Sequence, residues 1–197
     1  MNEGSKQLSS FVWRKIKIIS ESTNLSGSKT SLANLRRGVG KKPGSIPEIW
    51  DITLNELPER FISKDGNPTY GEWASHISLT LFALHQQGKD LNNKCMNQEN
   101  KSLGDASRAL KNAIEDDGSR VKRRFDAIAT ALDMDEMSYH LRGLVQLFKS
   151  KDIPLDYPQL ARDIYEFQFP NSRDQVRLRW GQAFYRSDKE DNASNQK

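Results

Sequence analysis

One cysteine, three histidines and no long apolar run occur in the 197 residues of this chain. With Cys95 alone, neither an intrachain disulfide nor a cysteine-built zinc site can form within one copy, and a reducing compartment fits. No stretch approaches the roughly 18 apolar residues that a membrane-spanning helix requires. The N-terminal MNEGSKQLSSFVWRKIK lacks the apolar centre and small-residue cleavage site of a secretory signal, so a cytoplasmic protein is expected. P-loop, GxGxxG, GxSxG and HExxH patterns are all missing, which removes the signatures of nucleotide hydrolysis, dinucleotide redox chemistry, serine hydrolysis and zinc peptidase chemistry. Strand-type alternation of apolar and polar residues is nearly absent.

Helical periodicity is what the sequence has in quantity. Residues 69–88 open on the capping box Thr69-x-x-Glu72 and close at Gly88. Between them Tyr70, Trp73, Ala74, Ile77, Leu81 and Leu84 form an apolar stripe, while Leu79 and Phe82 point elsewhere, so this helix is expected to be buried on more than one side. Similar stripes run through 102–115, 119–132 and 135–149. A helix after Ile153-Pro154 is capped by Asp156, and the last opens on Ser172-x-x-Gln175. Toward the N-terminus, Leu8, Phe11, Val12, Ile16 and Ile19 share one face, a polar loop is expected to Lys29, and residues 31–37 form a short helix stopped by Gly38. GVGKKPGS (38–45) reads as a flexible basic loop. The expected fold is all-α, with about eight to nine helices in two small packed bundles. These occupy 1–90 and 102–186, joined by a polar connector at 91–101 and followed by a disordered tail at 187–197.

Chemistry is thinly represented. Glu136 and His140, like Glu72 and His76, are spaced to share a helix face, but third and fourth metal ligands are not evident; ordinary surface pairs are the simpler reading. No catalytic residue, metal or cofactor is expected. The four tryptophans, Trp13, Trp50, Trp73 and Trp180, fall on or near apolar stripes, which favours packing over base stacking.

Charge is more informative. The net +4 conceals an uneven distribution: residues 1–47 hold nine basic and two acidic residues, net +7, whereas 48–100 hold four and eight, net −4. Arg120, Arg123 and Arg124 fall at i, i+3, i+4 beside an apolar face; Arg142 flanks the next stripe, Arg108 lies off the preceding one, and Arg36, Arg37, Lys41 and Lys42 form a further cluster. Such guanidinium rows can fork onto phosphate oxygens and grip a nucleic-acid backbone without reading bases. The same residues could instead pair with Asp116, Asp117 or Asp126, or complement a helix C-terminus.

Taken in order, SLANLRRGVGKKPGSIPEIW (31–50), KSLGDASRALKNAI (101–114), RVKRRFDAIATALDMDE (120–136), HLRGLVQLFKSKDIPLDYPQLARDIYEF (140–167) and VRLRWGQAFYR (176–186) resemble the CasB-type small subunit of the type I-E CRISPR surveillance complex, Cascade. The resemblance implies an all-helical, non-enzymatic subunit. It implies as partners the other Cascade subunits, both backbone and large, the CRISPR guide RNA, target DNA including the displaced strand, and a second copy of the chain. At the matching positions it also implies nucleic-acid contacts by Arg36, Arg37, Arg108, Arg120, Arg123, Arg124 and Arg142; Lys41 and Lys42 join them from local charge alone. Asp105, after Ser-Leu-Gly, stands where a basic residue would suit phosphate better. A free-standing helical nucleic-acid-binding or regulatory protein is the alternative, and a metal enzyme built on Glu136 and His140 a third.

Overall fold

A computed structural model describes residues 3–114 and 118–187. Asp116 and Asp117, considered above as arginine partners, and the tail beyond residue 187 lie outside the described residues. Among the described residues the fold is all-α: α1 (Glu3–Ser20), α2 (Leu25–Arg37), α3 (Trp50–Thr53), α4 (Tyr70–Gln86), α5 (Leu103–Asn112), α6 (Ser119–Ala129), α7 (Met134–Ser150), α8 (Tyr157–Phe167) and α9 (Pro170–Tyr185). Short 3-10 turns cover Pro47–Ile49 and Glu59–Phe61. None of these helices is long and apolar enough to cross a membrane.

α4 is the centre. Its capping box forms as expected: the Thr69 hydroxyl accepts from the Glu72 N–H at 3.2 Å and the Glu72 carboxylate accepts from the Thr69 N–H at 2.7 Å. Beyond that first turn nearly every side chain is buried, including Ser75, Ser78, Thr80, His85 and Gln86, because α1, α2, α7 and α8 all pack against it. The helix itself satisfies two of these hydroxyls, Thr80 donating to the His76 carbonyl at 2.7 Å and Ser75 to the Glu72 carbonyl at 3.2 Å. α1 lies along α8 and also meets α4 and α2, and its Leu8, Phe11, Val12, Ile16 and Ile19 are buried. α5 pairs with α9, α6 with α7, and the buried side chains make one continuous hydrophobic cluster.

Two helix starts differ from the sequence reading. α2 begins at Leu25, inside the expected loop, because the Asn24 side chain accepts from the Gly27 N–H at 2.9 Å and Ser28 anchors the first turn by donating to the Ile19 carbonyl at 2.8 Å. α9 begins at Pro170, ahead of the expected Ser172 box, since a proline in the first turn sacrifices no helical hydrogen bond. The tryptophans also divide: Trp180 is buried and Trp73 half-buried, whereas Trp13 and Trp50 are exposed.

The polar stretch between α4 and α5 is held firmly. Gln86 accepts from the Met96 N–H at 2.8 Å and donates to the carbonyls of Lys89 and Lys94. Leu155 donates to the Met96 carbonyl and accepts from Gln98, while the Asn97 side chain accepts from the N–H of Tyr157, the first residue of α8. The sequence pattern does not show the ties to residues 155–157 because those partners lie some 60 residues away.

Candidate nucleic-acid interface

α7 is the spine of the site. Met137, Leu141, Leu144, Val145 and Phe148 are buried, so the opposite face, with Tyr139, Arg142 and Gln146, turns to solvent. The acids at its start are spent on the helix: Asp133 accepts from the Glu136 N–H, and Glu136 accepts from the Leu132 N–H, both at 2.8 Å. His140 lies 3.6 Å from Glu136 as a surface pair. Among the described residues no three His, Cys, Asp or Glu side chains converge to hold a metal.

α6 buries Val121, Phe125 and Ile128, which sets Arg120 and Arg124 one turn apart on one flank and Arg123 on the outermost line. Arg124 reaches over α7 at Gly143, where an added Cβ would stand 3.1 Å from its Nη1. At the neighbouring position the basic loop arrives: a Cβ on Gly40 would stand 3.9 Å from Nη1 of Arg142, and Lys41 and Lys42 follow it in the chain, both exposed. Gly40 has φ +73°, in the left-handed region that favours glycine. The loop is pinned rather than loose. His76, which burial keeps below the usual histidine range and so uncharged at neutral pH, sets Nε2 3.0 Å from the Gly38 carbonyl, and the Trp50 indole donates to the Gly44 carbonyl at 2.9 Å.

Two turns beyond Arg142, Lys149 donates to the Gln87 side chain at 2.9 Å. Partial burial first, and then the cations of Lys89 and Arg36, hold its ammonium below the usual lysine range. Lys89 and Lys94 both bond Asp152, whose carboxyl those hydrogen bonds pull down to about 2. Lys149 and Lys89 were missed by sequence reasoning, although Lys149 falls at i+7 from Arg142 and so belongs to the same stripe.

The sequence-derived set therefore divides. Arg124, Arg142 and the Gly40 loop that leads into Lys41 and Lys42 come together at α7, and Arg36 acts electrostatically on Lys149 of the same helix. Arg37 is exposed but pairs with Glu48 at 2.9 Å. Arg108 is half-buried and engaged at the α5–α9 corner, donating to the Arg186 carbonyl at 3.2 Å. Asp105 is explained there: it is the acidic half of the α5 capping box with Ser102, and it lies 3.8 Å from Arg108 and 3.9 Å from Arg186.

From Arg142 to Lys149 the helix rises about 10 Å, some three nucleotides of one strand at about 3.4 Å each. A cationic row of that pitch can follow a phosphate backbone, and it offers no fixed constellation for reading base edges.

Residues 31–185 match the sequence model of the family described as CRISPR-associated protein Cse2. No curated protein matches the sequence. Among solved structures, CasB from Thermobifida fusca is similar at 32% identity and a TM-score of 0.73, over 91% of this chain and 98% of that one. A Cse2-family CRISPR-associated protein from Thermus thermophilus shares the fold at 21% identity and TM-score 0.66, over 94% and 99% of the two chains. CasB from M. ruber does so at 22% and 0.64, over 93% and 97%.

Proposed function

The chain belongs to the CRISPR-associated protein Cse2 family, and from that premise we propose that it is a non-catalytic small subunit of an RNA-guided CRISPR surveillance complex of the Cascade type. Its task in this reading is to support the guide RNA, the target-strand heteroduplex and the displaced DNA strand. The partners are the backbone and large subunits of that complex and a second copy of the chain. Sequence is read by base pairing in such systems, so a supporting subunit needs charge and shape without base-reading side chains. The observation that carries the reading is the convergence of Arg124, Arg142 and the Gly40 loop on the exposed face of α7.

Two experiments test it. The tagged chain, purified from its native host at moderate salt, is expected to bring down repeat-derived guide RNA with the other subunits. Recovery alone, or with unrelated nucleic acid, would replace this reading with that of a free-standing nucleic-acid binder. In the assembled complex, the double charge reversal Arg124→Glu, Arg142→Glu is expected to expose the displaced strand to single-strand nuclease; unchanged protection would remove the α7 face from the interface.

A further inference from the structure

Tyr139 does little for the fold. It is 72% exposed, and its ring meets its chain neighbour His140 edge-on, with centroids 5.3 Å apart. It stands at the rim of a cavity of about 260 Å³ whose other walls are Arg124, His140, Arg142, Gly143 and Gln146. Gly143 lies in the floor, where an added Cβ would stand 3.1 Å from the Arg124 guanidinium, in tighter than ordinary contact. An aromatic face is thus set beside two guanidinium groups and a side-chain amide, open to solvent on one side.

These groups match the parts of a nucleotide. A phenol ring offers a stacking face of about base size, with no hydrogen-bond pattern that would prefer one base over another. Arg124 and Arg142 are placed for the phosphates on either side, and Gln146 can donate to or accept from whichever base edge is nearest. Inside a duplex both faces of a base are covered by its stacked neighbours, so away from duplex ends only a base of a single strand can present a face to Tyr139. Building on the nucleic-acid reading of the α7 face above, we infer that this cavity receives an unpaired nucleotide, its base stacked on Tyr139, and that it gives the chain a preference for single-stranded over double-stranded nucleic acid. Charge supplies grip on either form; the ring supplies the discrimination. Tyrosine and arginine also anchor protein interfaces, and that occupant is distinguished by the outcomes below.

The test uses the full chain, a fluorescent 20-nucleotide oligothymidine and a duplex of equal length, with affinities measured across a salt series. Tyr139→Ala is expected to weaken single-strand binding about tenfold, the scale of one base–aromatic stack. Duplex affinity and the salt slope should be unchanged, since no charge is lost. Tyr139→Phe, which keeps the ring, should bind like the unsubstituted chain. Because the side chain is outside the core, an unchanged melting temperature is expected for both. Arg142→Ala separates the two levels of argument: it should weaken both substrates and flatten both slopes. If Arg142→Ala does so while Tyr139→Ala changes nothing, or lowers both substrates equally, the stacking inference falls and the backbone-binding face stands. If neither substitution alters nucleic-acid binding, but Tyr139→Ala releases a protein subunit from the purified complex, the cavity is a protein-docking site and the inference is overturned.

Discussion

Asp163 is only 1% exposed, yet it is an acid, and its partners explain why it is tolerated. Oδ2 accepts from the Trp180 indole at 2.8 Å and Oδ1 from Arg179 at 3.0 Å, so one carboxylate clasps α8 to α9. Burial still wins over these contacts and raises its pKa. Replacing it with alanine strands the buried Trp180 indole N–H and leaves Arg179 with Glu166, which it also meets at 2.7 Å; a loss of about 2 kcal/mol is expected by chemical denaturation, with Asp163→Asn, which keeps an acceptor, costing less. His85 makes a second residue-level prediction. It is fully buried, with Nδ1 3.0 Å from the Tyr157 hydroxyl, and burial, followed by the Lys89 and Lys149 cations, lowers its pKa to about 4. The unfolded chain, with histidine near 6.5, takes up the proton first as pH falls. Stability is therefore whole above pH 6.5 and declines by about 3 kcal/mol toward pH 4. Denaturation midpoints from pH 7 to 4 should show this, and His85→Phe should flatten the profile. Neither role is legible in sequence: Asp163 and His85 are unremarkable on their helices until residues 17 and 72 positions away fold over them. The caps, by contrast, were legible at Thr69 and Asp156 because they are local.

At the level of elements, α5 and α9 approach so closely at Gly104 that an added Cβ would stand 2.3 Å from the Trp180 carbonyl and 2.7 Å from the Ala183 methyl. Gly104→Ala must push two helices apart, and a loss of about 2 kcal/mol is expected in thermal or denaturant melts. Gly181, on α9 with nothing within 4 Å, is the matched contrast: Gly181→Ala gains helix propensity and should stabilise by about 0.5–1 kcal/mol. Helices with strong apolar stripes, such as α7, could be read directly, because burial of Met137, Leu141, Leu144, Val145 and Phe148 is the same fact as their spacing. The first two turns of α2 could not: LSGSKTS offers few apolar residues, and what starts it is a cap at Asn24 and a bond to the end of α1.

For the molecule as a whole, the candidate site was half legible. The arginines on α6 and α7 were visible as charge at helical spacing, whereas the juxtaposition of Arg142 with Gly40, more than 100 residues apart, depends on α2 and α7 flanking the same central helix. Lys149 gained its place by the same packing, and Arg108 was drawn aside to Arg186. If the converged groups act together on phosphate, Arg124→Ala and Arg142→Ala should each reduce the slope of log affinity against log salt by about 1. Arg37→Ala, already paired with Glu48, should change it less.

The stitched segment between α4 and α5 has a mechanical consequence. Its backbone is tied to residues 155–157 by the Met96–Leu155 and Lys101–Asp156 bonds and by the Asn97 side chain on Tyr157, while Gln86 fastens its other end to α4. A hinge there would have to unzip these ties and expose Met96 and Leu155, both buried, to water. The amide of Leu155 should therefore exchange with deuterated solvent only through events that open most of the molecule.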